Sequence, residues 1–345
     1  MENKSAYQEM IICKPPNLKN KMEMPKLSGL IEILKETIKI LHSKNGKLIA
    51  KITSIYIIIV SLATISYINL SSFLQHDLLA KETFLILNSP TPPSYTEVYA
   101  AVKPDLVLIL GLSLFLNLFT IFLYVFTMTA TILASAETYS SEKATISFKE
   151  LMMKVKSSIK RPIITLLYIY LIGIGLSVIV LFFLGSLAFL IENRSVILPT
   201  AVVVGILASI LWLYLYVVFQ LGMTVSIIEE GICGIQAIAK AGRIVKGKRL
   251  YGFVFNLVVQ MANLIAVIPF MKMNTNGNQS MVYKGIALVI LSSFSGILAM
   301  FFHMFYTVLY FQCNKIHGKS ETGLMGVYEY VKLPYGEVAV DQDLP

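Results

Sequence analysis

Charged residues and cysteines are scarce in this chain. Only 14% of its 345 residues are charged, against about 25% in a soluble domain. Three cysteines occur, Cys13, Cys233 and Cys313, and none has a partner at metal-ligand spacing. The low charge excludes an ordinary soluble domain, and the few cysteines exclude a disulfide framework and a thiolate metal site.

Catalytic signatures are also missing from the sequence. It contains no G-x-S-x-G, H-E-x-x-H, P-loop or dinucleotide-binding fingerprint. No long apolar run carries Asp, Glu, Lys or Arg in its interior, where proton- and ion-coupled transporters normally place such a group. His303 is the only histidine in such a run, and a lone histidine is more often a neutral hydrogen-bonding group than a titrating one. The sequence therefore predicts a protein that is not an enzyme and has no cofactor.

What the chain has in abundance is apolar sequence. Apolar residues make up 56% of the chain, and the mean hydropathy is +0.72. Two long apolar runs, 162–191 and 198–228, are separated by a short polar break. Each exceeds the roughly 20 residues that cross a bilayer core, so the pair predicts a transmembrane hairpin. Four further spans are predicted at about 52–70, 106–134, 252–271 and 285–311. The prolines near position 90 predict that the connection 72–105 is not a continuous helix.

A basic amphipathic stretch precedes each pair of spans. The first stretch begins at residue 27, the second covers 145–161 and the third covers 235–248. Each has apolar residues at helical spacing on one face and lysines on the opposite face. We expect them to lie as helices on an anionic membrane surface, although the first could instead pack on another segment of the chain. The predicted fold is therefore all-α: a polytopic membrane protein with six transmembrane helices in three hairpins, each preceded by a basic amphipathic interfacial helix.

The distribution of lysine and arginine predicts the topology. The segments 1–51, 135–161 and 229–251 are basic, whereas 72–105 and 192–197 are not. Because basic loops stay in the cytosol, both termini should be cytosolic. The protein itself should reside in the endoplasmic reticulum and endomembrane system or in the plasma membrane. The domains are then a cytosolic segment 1–51, a membrane domain 52–311 and a cytosolic tail 312–345. The predicted partner is the lipid bilayer with its anionic cytosolic leaflet. No nucleic-acid partner is predicted.

Three neutral polar residues define a candidate site in the fifth span. Asn256, Gln260 and Asn263 share one helix face, because they are spaced i, i+4, i+7. This face would line a polar pathway or bind a lipid headgroup. The alternative is interhelical hydrogen bonding, worth roughly 0.6 kcal/mol per contact.

Glu229 and Glu230 form a second candidate site, at the end of the fourth span and just before an amphipathic helix. Carboxylates there face the positive end of the helix dipole, so we expect at least one to cap or clamp that helix. Plain solvent exposure is the alternative.

Two positions are candidates for modification. Asn278 heads an N-x-S sequon on the predicted outer side and is a candidate for glycosylation. Cys313 lies at the end of the sixth span and is a candidate for palmitoylation, with an unmodified thiol as the alternative.

Small residues in the central hairpin predict close helix contacts. Ala201, Gly205 and Ser209 are four apart in the fourth span, as are Gly173 and Ser177 in the third.

The segment 225–248 carries a family resemblance: a Glu at the end of a span, a Gly, and an Ala-rich amphipathic helix closing on Lys-Gly. It resembles the membrane domain of some bacterial glycerophosphodiester phosphodiesterases and its stand-alone relatives. Ala241 departs from the pattern, which usually has Ser there. The whole chain is similar to uncharacterised plant multi-pass membrane proteins. Because the phosphodiesterase catalytic domain is absent, the resemblance implies a membrane domain of unknown function and no activity.

These observations favour a non-catalytic integral membrane protein that organises lipids or partner proteins through cytosolic basic helices. The alternative is a channel or facilitator for an uncharged or amphiphilic solute, using the face of Asn256, Gln260 and Asn263. An intramembrane enzyme ranks third, because only a polar cluster around His303 could support one.

The predicted topology can be tested with a C-terminal epitope tag. In sealed cytosol-side-out vesicles, added protease should remove the tag without detergent. A tag that stays protected until detergent is added would contradict the six-span topology with cytosolic termini.

Overall fold

The computed structural model describes residues 27–88, 95–140, 145–190, 194–275 and 281–325. Across these ranges the chain is helical, with no strand. The helices are α1 (Leu27–His42), α2 (Lys44–Asn88), α3 (Tyr95–Ser140), α4 (Phe148–Ser158), α5 (Lys160–Leu190), α6 (Arg194–Ile228), α7 (Ile235–Ile244), α8 (Arg249–Thr275) and α9 (Met281–Met325).

Six of these helices, α2, α3, α5, α6, α8 and α9, are long and apolar enough to cross a membrane. The other three, α1, α4 and α7, are short and precede α2, α5 and α8. This order confirms the predicted fold class, an all-α protein of six spans with a short amphipathic helix before each hairpin.

The connection between the first two spans is shorter than expected. Helix α2 continues to Asn88 and α3 begins at Tyr95, so the described part of 72–105 belongs to two separate helices, which agrees with the prediction that this segment is not one continuous helix. The three closely spaced prolines fall within 89–94, outside the described residues, and Pro104 lies inside α3. Lys81 joins the two helices here, with its Nζ 2.8 Å from Asp105 and 2.7 Å from Asp77.

Helices also run across the predicted domain boundaries. Helix α2 begins at Lys44, before residue 52, and α9 continues past residue 311 to Met325.

The short helices lie together at one end of the bundle, which we name the short-helix end; the opposite end is the far end. Helix α1 contacts α9 and α2, α4 contacts α3, and α7 contacts α6. Each short helix buries its apolar face against the bundle, so α1 packs on other segments of the chain, the alternative left open by its sequence. The buried positions are Ile33, Ile40, Leu151, Val155, Ala237 and Ala241.

Small side chains allow α7 to approach α6 closely. Ala237 and Ala241 are fully buried, and a Cβ on Gly222 of α6 would lie 3.2 Å from the Cα of Ile238. A larger side chain at any of these positions would force the two backbones apart, at a cost of about 1–3 kcal/mol.

The main apolar core occupies the short-helix end. It gathers buried residues of α1, α4 and α7 with those of the adjoining span ends, including Tyr306 and Leu309 of α9. Farther along α5, side chains are exposed, such as Leu171 at 64% and Phe182 at 76%. Such surfaces suit acyl chains rather than water, as expected of helices that face lipid.

The small residues of the central hairpin behave differently on its two helices. A Cβ on Gly173 would lie 3.0 Å from the Trp212 ring of α6, so α5 approaches α6 closely there. A Cβ on Gly205 would meet nothing within 4 Å, so the row of Ala201, Gly205 and Ser209 makes no such contact at its centre.

The turn from α1 to α2 depends on Gly46. The Ser43 hydroxyl accepts a hydrogen bond of 3.0 Å from the Gly46 N–H, which is the N-cap pattern for α2. A Cβ on Gly46 would lie 2.2 Å from the Leu41 carbonyl oxygen and 2.4 Å from that of Ile40. Because both obstacles are backbone, only glycine fits this position.

We therefore expect Gly46→Ala to lower the free energy of unfolding by about 1–3 kcal/mol. Gly111→Ala is the matched control, since a Cβ there meets nothing within 4 Å. That control should gain about 0.5–1 kcal/mol from helix propensity. Thermal unfolding in detergent micelles measures both, and a Gly46→Ala protein as stable as the control would contradict the packing of this turn.

Candidate functional site

Glu229 lies immediately after the end of α6 and joins three helices. Its Oε2 accepts a hydrogen bond of 2.5 Å from Lys240 Nζ of α7. Its Oε1 accepts one of 2.8 Å from the Tyr310 hydroxyl of α9. The side chain of Glu229 is 17% exposed, so the carboxylate is largely withdrawn from water and both oxygens are satisfied.

Arg161 adds a fourth helix to this cluster. Its Nη1 donates to the main-chain oxygen of Glu229 at 2.7 Å, and its Nη2 donates to Ser158 Oγ at 3.0 Å. A cation at the C-terminal end of α6 neutralises the negative end of the helix dipole. We name Glu229, Lys240, Tyr310 and Arg161 the Glu229 hub.

Glycines shape the loop between α6 and α7. Gly231 and Gly234 have φ of 82° and 60°, in the region that favours glycine. The Gly234 N–H donates to Thr165 Oγ1 of α5 at 2.8 Å, and a Cβ on Gly234 would lie 2.9 Å from the Tyr168 ring. The loop is therefore held against α5 at a position where only glycine fits.

The two predicted carboxylates have different surroundings. Glu229 contacts α7 through Lys240, as a clamp would, whereas Glu230 is exposed. The N-cap residue of α7 is Gly234, which has no side chain to cap the helix, and both carboxylate oxygens of Glu229 bond to side chains instead. The sequence located Glu229 from its position but missed Tyr310 and Arg161, which lie 81 and 68 residues away in the chain.

A second set of contacts fixes the other end of α7. Arg249 donates from Nη2 to the Gly242 carbonyl at 2.8 Å and from Nη1 to the Tyr214 hydroxyl. Its guanidinium carbon lies 5.3 Å from the centroid of the Tyr214 ring. Lys248 Nζ donates to Gln312 Oε1 of α9 at 2.9 Å. Since both ends are held, the orientation of α7 and of its outward charges is fixed.

Asn45 makes an equivalent connection near α1 and is 2% exposed. Its Nδ2 donates to Thr138 Oγ1 of α3 at 3.0 Å, and its Oδ1 accepts from the Ile146 N–H at 3.1 Å. Sequence reasoning missed this residue, because both partners are more than ninety residues away along the chain.

The polar face predicted on the fifth span, now α8, divides into separate environments. Asn256 is fully buried and accepts a 2.7 Å hydrogen bond from the Tyr306 hydroxyl. Asn263 accepts a weaker one, at 3.5 Å, from Ser295 of α9. Gln260 is exposed and lines a cavity of about 680 Å³ that is otherwise bounded by α5 and α6.

The remaining candidate residues lie apart from the hub. His303 is 4% exposed, and its ring centroid lies 5.5 Å from that of Tyr124 and 5.8 Å from that of Phe302. Cys313 is 1% exposed within the core, so palmitoylation would require its thiol to leave that core. Asn278 lies outside the described residues. Among the residues that the structure does describe, no three His, Cys, Asp or Glu side chains group closely enough to hold a metal ion.

The hub predicts a difference between the two neighbouring glutamates. Glu229→Gln keeps the side-chain shape but removes the charge that binds Lys240, so it should reduce the free energy of local opening of α7 by about 2 kcal/mol. Glu230→Gln is the control, because Glu230 is exposed. Hydrogen exchange should accelerate across 231–249 in the first variant alone, with the six spans unchanged. Equal protection of that segment in both variants would show that Glu229 does not hold α7.

Comparison with known proteins gives one family. The model for Domain of unknown function (DUF8558) matches residues 19–332, which is most of the 345-residue chain. No curated protein matches the chain, and no solved structure does so either. The matched segment includes every helix described above, from α1 to α9. The chain therefore belongs to the DUF8558 family.

Proposed function

We propose that this protein is a non-catalytic membrane protein that gathers anionic lipids, or partners bound to them, beneath one leaflet through its three short helices. The observation that supports this proposal is the exposed basic surface that these helices share. They bury one face in the core and direct charged side chains outward, together with some apolar ones such as Ile38, Phe148 and Ile235. We name these exposed cations the basic surface: Lys35, Lys39, Lys149, Lys156, Arg243 and Lys246.

Ion pairs occur at both ends of the bundle. At the far end, Lys81 bonds to both Asp77 and Asp105. At the short-helix end, Glu229 neutralises Lys240, and the cations of the basic surface are separate from this hub.

Lys154 shows that paired cations also remain charged at this end. Its Nζ lies 3.2 Å from both Glu137 and Glu150. Partial burial acts to lower the pKa of Lys154, but the hydrogen bonds to the two glutamates outweigh it and raise the pKa above its ordinary value. The side chain is therefore a cation throughout the physiological range.

The fixed position of α7 on the bundle favours lipid binding at the basic surface. Each lysine near an anionic leaflet contributes about 1 kcal/mol. The hub and the Arg249 contacts fix α7 in advance, so little further ordering is needed when lipids bind. By the positive-inside rule this end faces the cytosol, where anionic lipids concentrate.

The geometry gives less support to a facilitator. A pathway along α8 would need its polar residues to face one water-filled route. Instead, Asn256 is committed to Tyr306, and Gln260 lies in a cavity whose other lining residues are mostly apolar. Interhelical hydrogen bonding accounts for the side-chain oxygens of Asn256 and Asn263.

The resemblance to the membrane domain of bacterial glycerophosphodiester phosphodiesterases is compatible with this proposal. The residues that carry it, including Glu229, Gly234 and Lys248, are those that position α7 in this chain. They hold a helix in place and do not by themselves suggest a reaction.

The proposal can be tested with two charge-matched double variants in proteoliposomes. Lys156→Gln with Lys246→Gln removes two charges from the basic surface, whereas Lys103→Gln with Lys272→Gln removes two from the far end. Energy transfer from labelled protein to fluorescent phosphatidylserine reports local enrichment of that lipid. The first variant should lose enrichment corresponding to about 2 kcal/mol at low salt, and less at high salt.

Energy transfer to fluorescent phosphatidylcholine is the lipid control and should not change. If the two double variants enrich phosphatidylserine equally, or if neither differs from the unaltered protein, the basic surface does not gather anionic lipid.

A further inference from the structure

A cavity of about 470 Å³ lies between α3, α5 and α6. Its volume falls within the roughly 300–1,000 Å³ typical of small-molecule sites. Most of its lining is apolar, with Leu166, Ile169 and Met223 toward the short-helix end. The neutral hydrogen-bonding side chains of the lining include Tyr124, Tyr170, Tyr216 and Gln220.

These polar residues border the same cavity from three helices. Tyr216 and Gln220 lie one turn apart on α6, Tyr170 lies on α5 and Tyr124 lies on α3. A cavity with a mostly apolar wall and a few hydroxyl and amide groups fits a ligand that has a large apolar part and a small polar part.

The polar residues lie well inside the apolar spans. Span α5 begins at Lys160 and span α6 ends at Ile228, both at the short-helix end. At 1.5 Å per residue, Gln220, Tyr170 and Tyr216 lie about 12, 15 and 18 Å along the helices from those ends. Within a hydrocarbon core, water is not available to satisfy hydroxyl and amide groups.

The cavity opens sideways between spans. Ile174 and Val178 line it and yet are 62% and 58% exposed, on a surface of α5 that faces lipid. A molecule dissolved in the bilayer can therefore enter without crossing water. Among the residues that the structure describes, no Lys, Arg, Asp or Glu lines the cavity, so a charged group inside it would have no partner of opposite charge among them.

From these observations we infer that the cavity between α3, α5 and α6 binds a neutral amphiphile from the bilayer, one with an apolar body and a hydroxyl group that bonds to the polar residues Tyr170, Tyr216 and Gln220. Sterols and diacylglycerols share this chemistry. The site is distinct from the basic surface, so it stands or falls independently of the proposed function.

The test uses photoactivatable, clickable probes in proteoliposomes: a sterol, a diacylglycerol and a phosphatidylcholine. Val178→Trp fills the cavity with an indole, and Val203→Trp is the matched control, because Val203 is an exposed valine of the same hairpin outside the cavity lining. Labelling by the sterol or the diacylglycerol probe should fall about tenfold in Val178→Trp and stay unchanged in Val203→Trp. The preferred probe identifies the source of the ligand.

A second variant tests the polar residues without adding bulk. Tyr170→Phe with Tyr216→Phe removes two hydroxyls and keeps both rings, so it should lower labelling by the same probe about tenfold. Peptides labelled in the unaltered protein should come from α3, α5 and α6. Equal labelling in the two tryptophan variants would overturn the inference. So would labelling by phosphatidylcholine as strong as that by both hydroxyl probes, because the cavity would then contact bilayer lipids without preference.

Discussion

The short-helix end depends on one carboxylate held among partners from different helices. A carboxylate that is mostly withdrawn from water is costly unless it is paired and hydrogen-bonded. Glu229 meets that requirement only because Lys240 of α7 and Tyr310 of α9 reach its two oxygens. Arg161 binds its main-chain oxygen from the start of α5. Because the Glu229 carboxylate needs partners to offset its desolvation, it bonds to side chains from other helices. Glu229 thereby links α5, α6, α7 and α9, which the hydrogen bonds within each helix do not connect.

Close packing of α7 against α6 adds to the contacts that Glu229 makes. Because Gly222 of α6 lets Ile238 of α7 approach its backbone, the two helices come close enough for Lys240 to reach Glu229, and the alanines of α7 join the buried core. Beyond this core the side chains of the central hairpin are more exposed, and cavities lie on both sides of it. The short-helix end is therefore specified by tight contacts, whereas the hairpin beyond it is loosely packed.

Much of this fold could be predicted from the sequence, because a bilayer requires long apolar runs and an interfacial helix requires helical periodicity. Glu229 could also be predicted as a clamp candidate, from its position between a span and an amphipathic helix. Its partners could not, since Tyr310 is 81 residues away and no spacing rule connects them. Helical spacing placed Asn256 and Gln260 on one face, but which neighbouring helix covers each residue depends on the packing of α6 and α9.

Helices α2 and α3 are longer than a bilayer requires. Their apolar spans, Lys44–Lys81 and Val102–Ser140, have 38 and 39 residues, against 27 for Lys160–Ser186. At 1.5 Å per residue this is about 57 Å against 40 Å. Asn45 of α2 bonds to Thr138 of α3 at the short-helix end, and Lys81 of α2 bonds to Asp105 of α3 toward the far end. The two longest spans are therefore joined by polar contacts near both of their ends, so each braces the other along the length that exceeds the shorter spans.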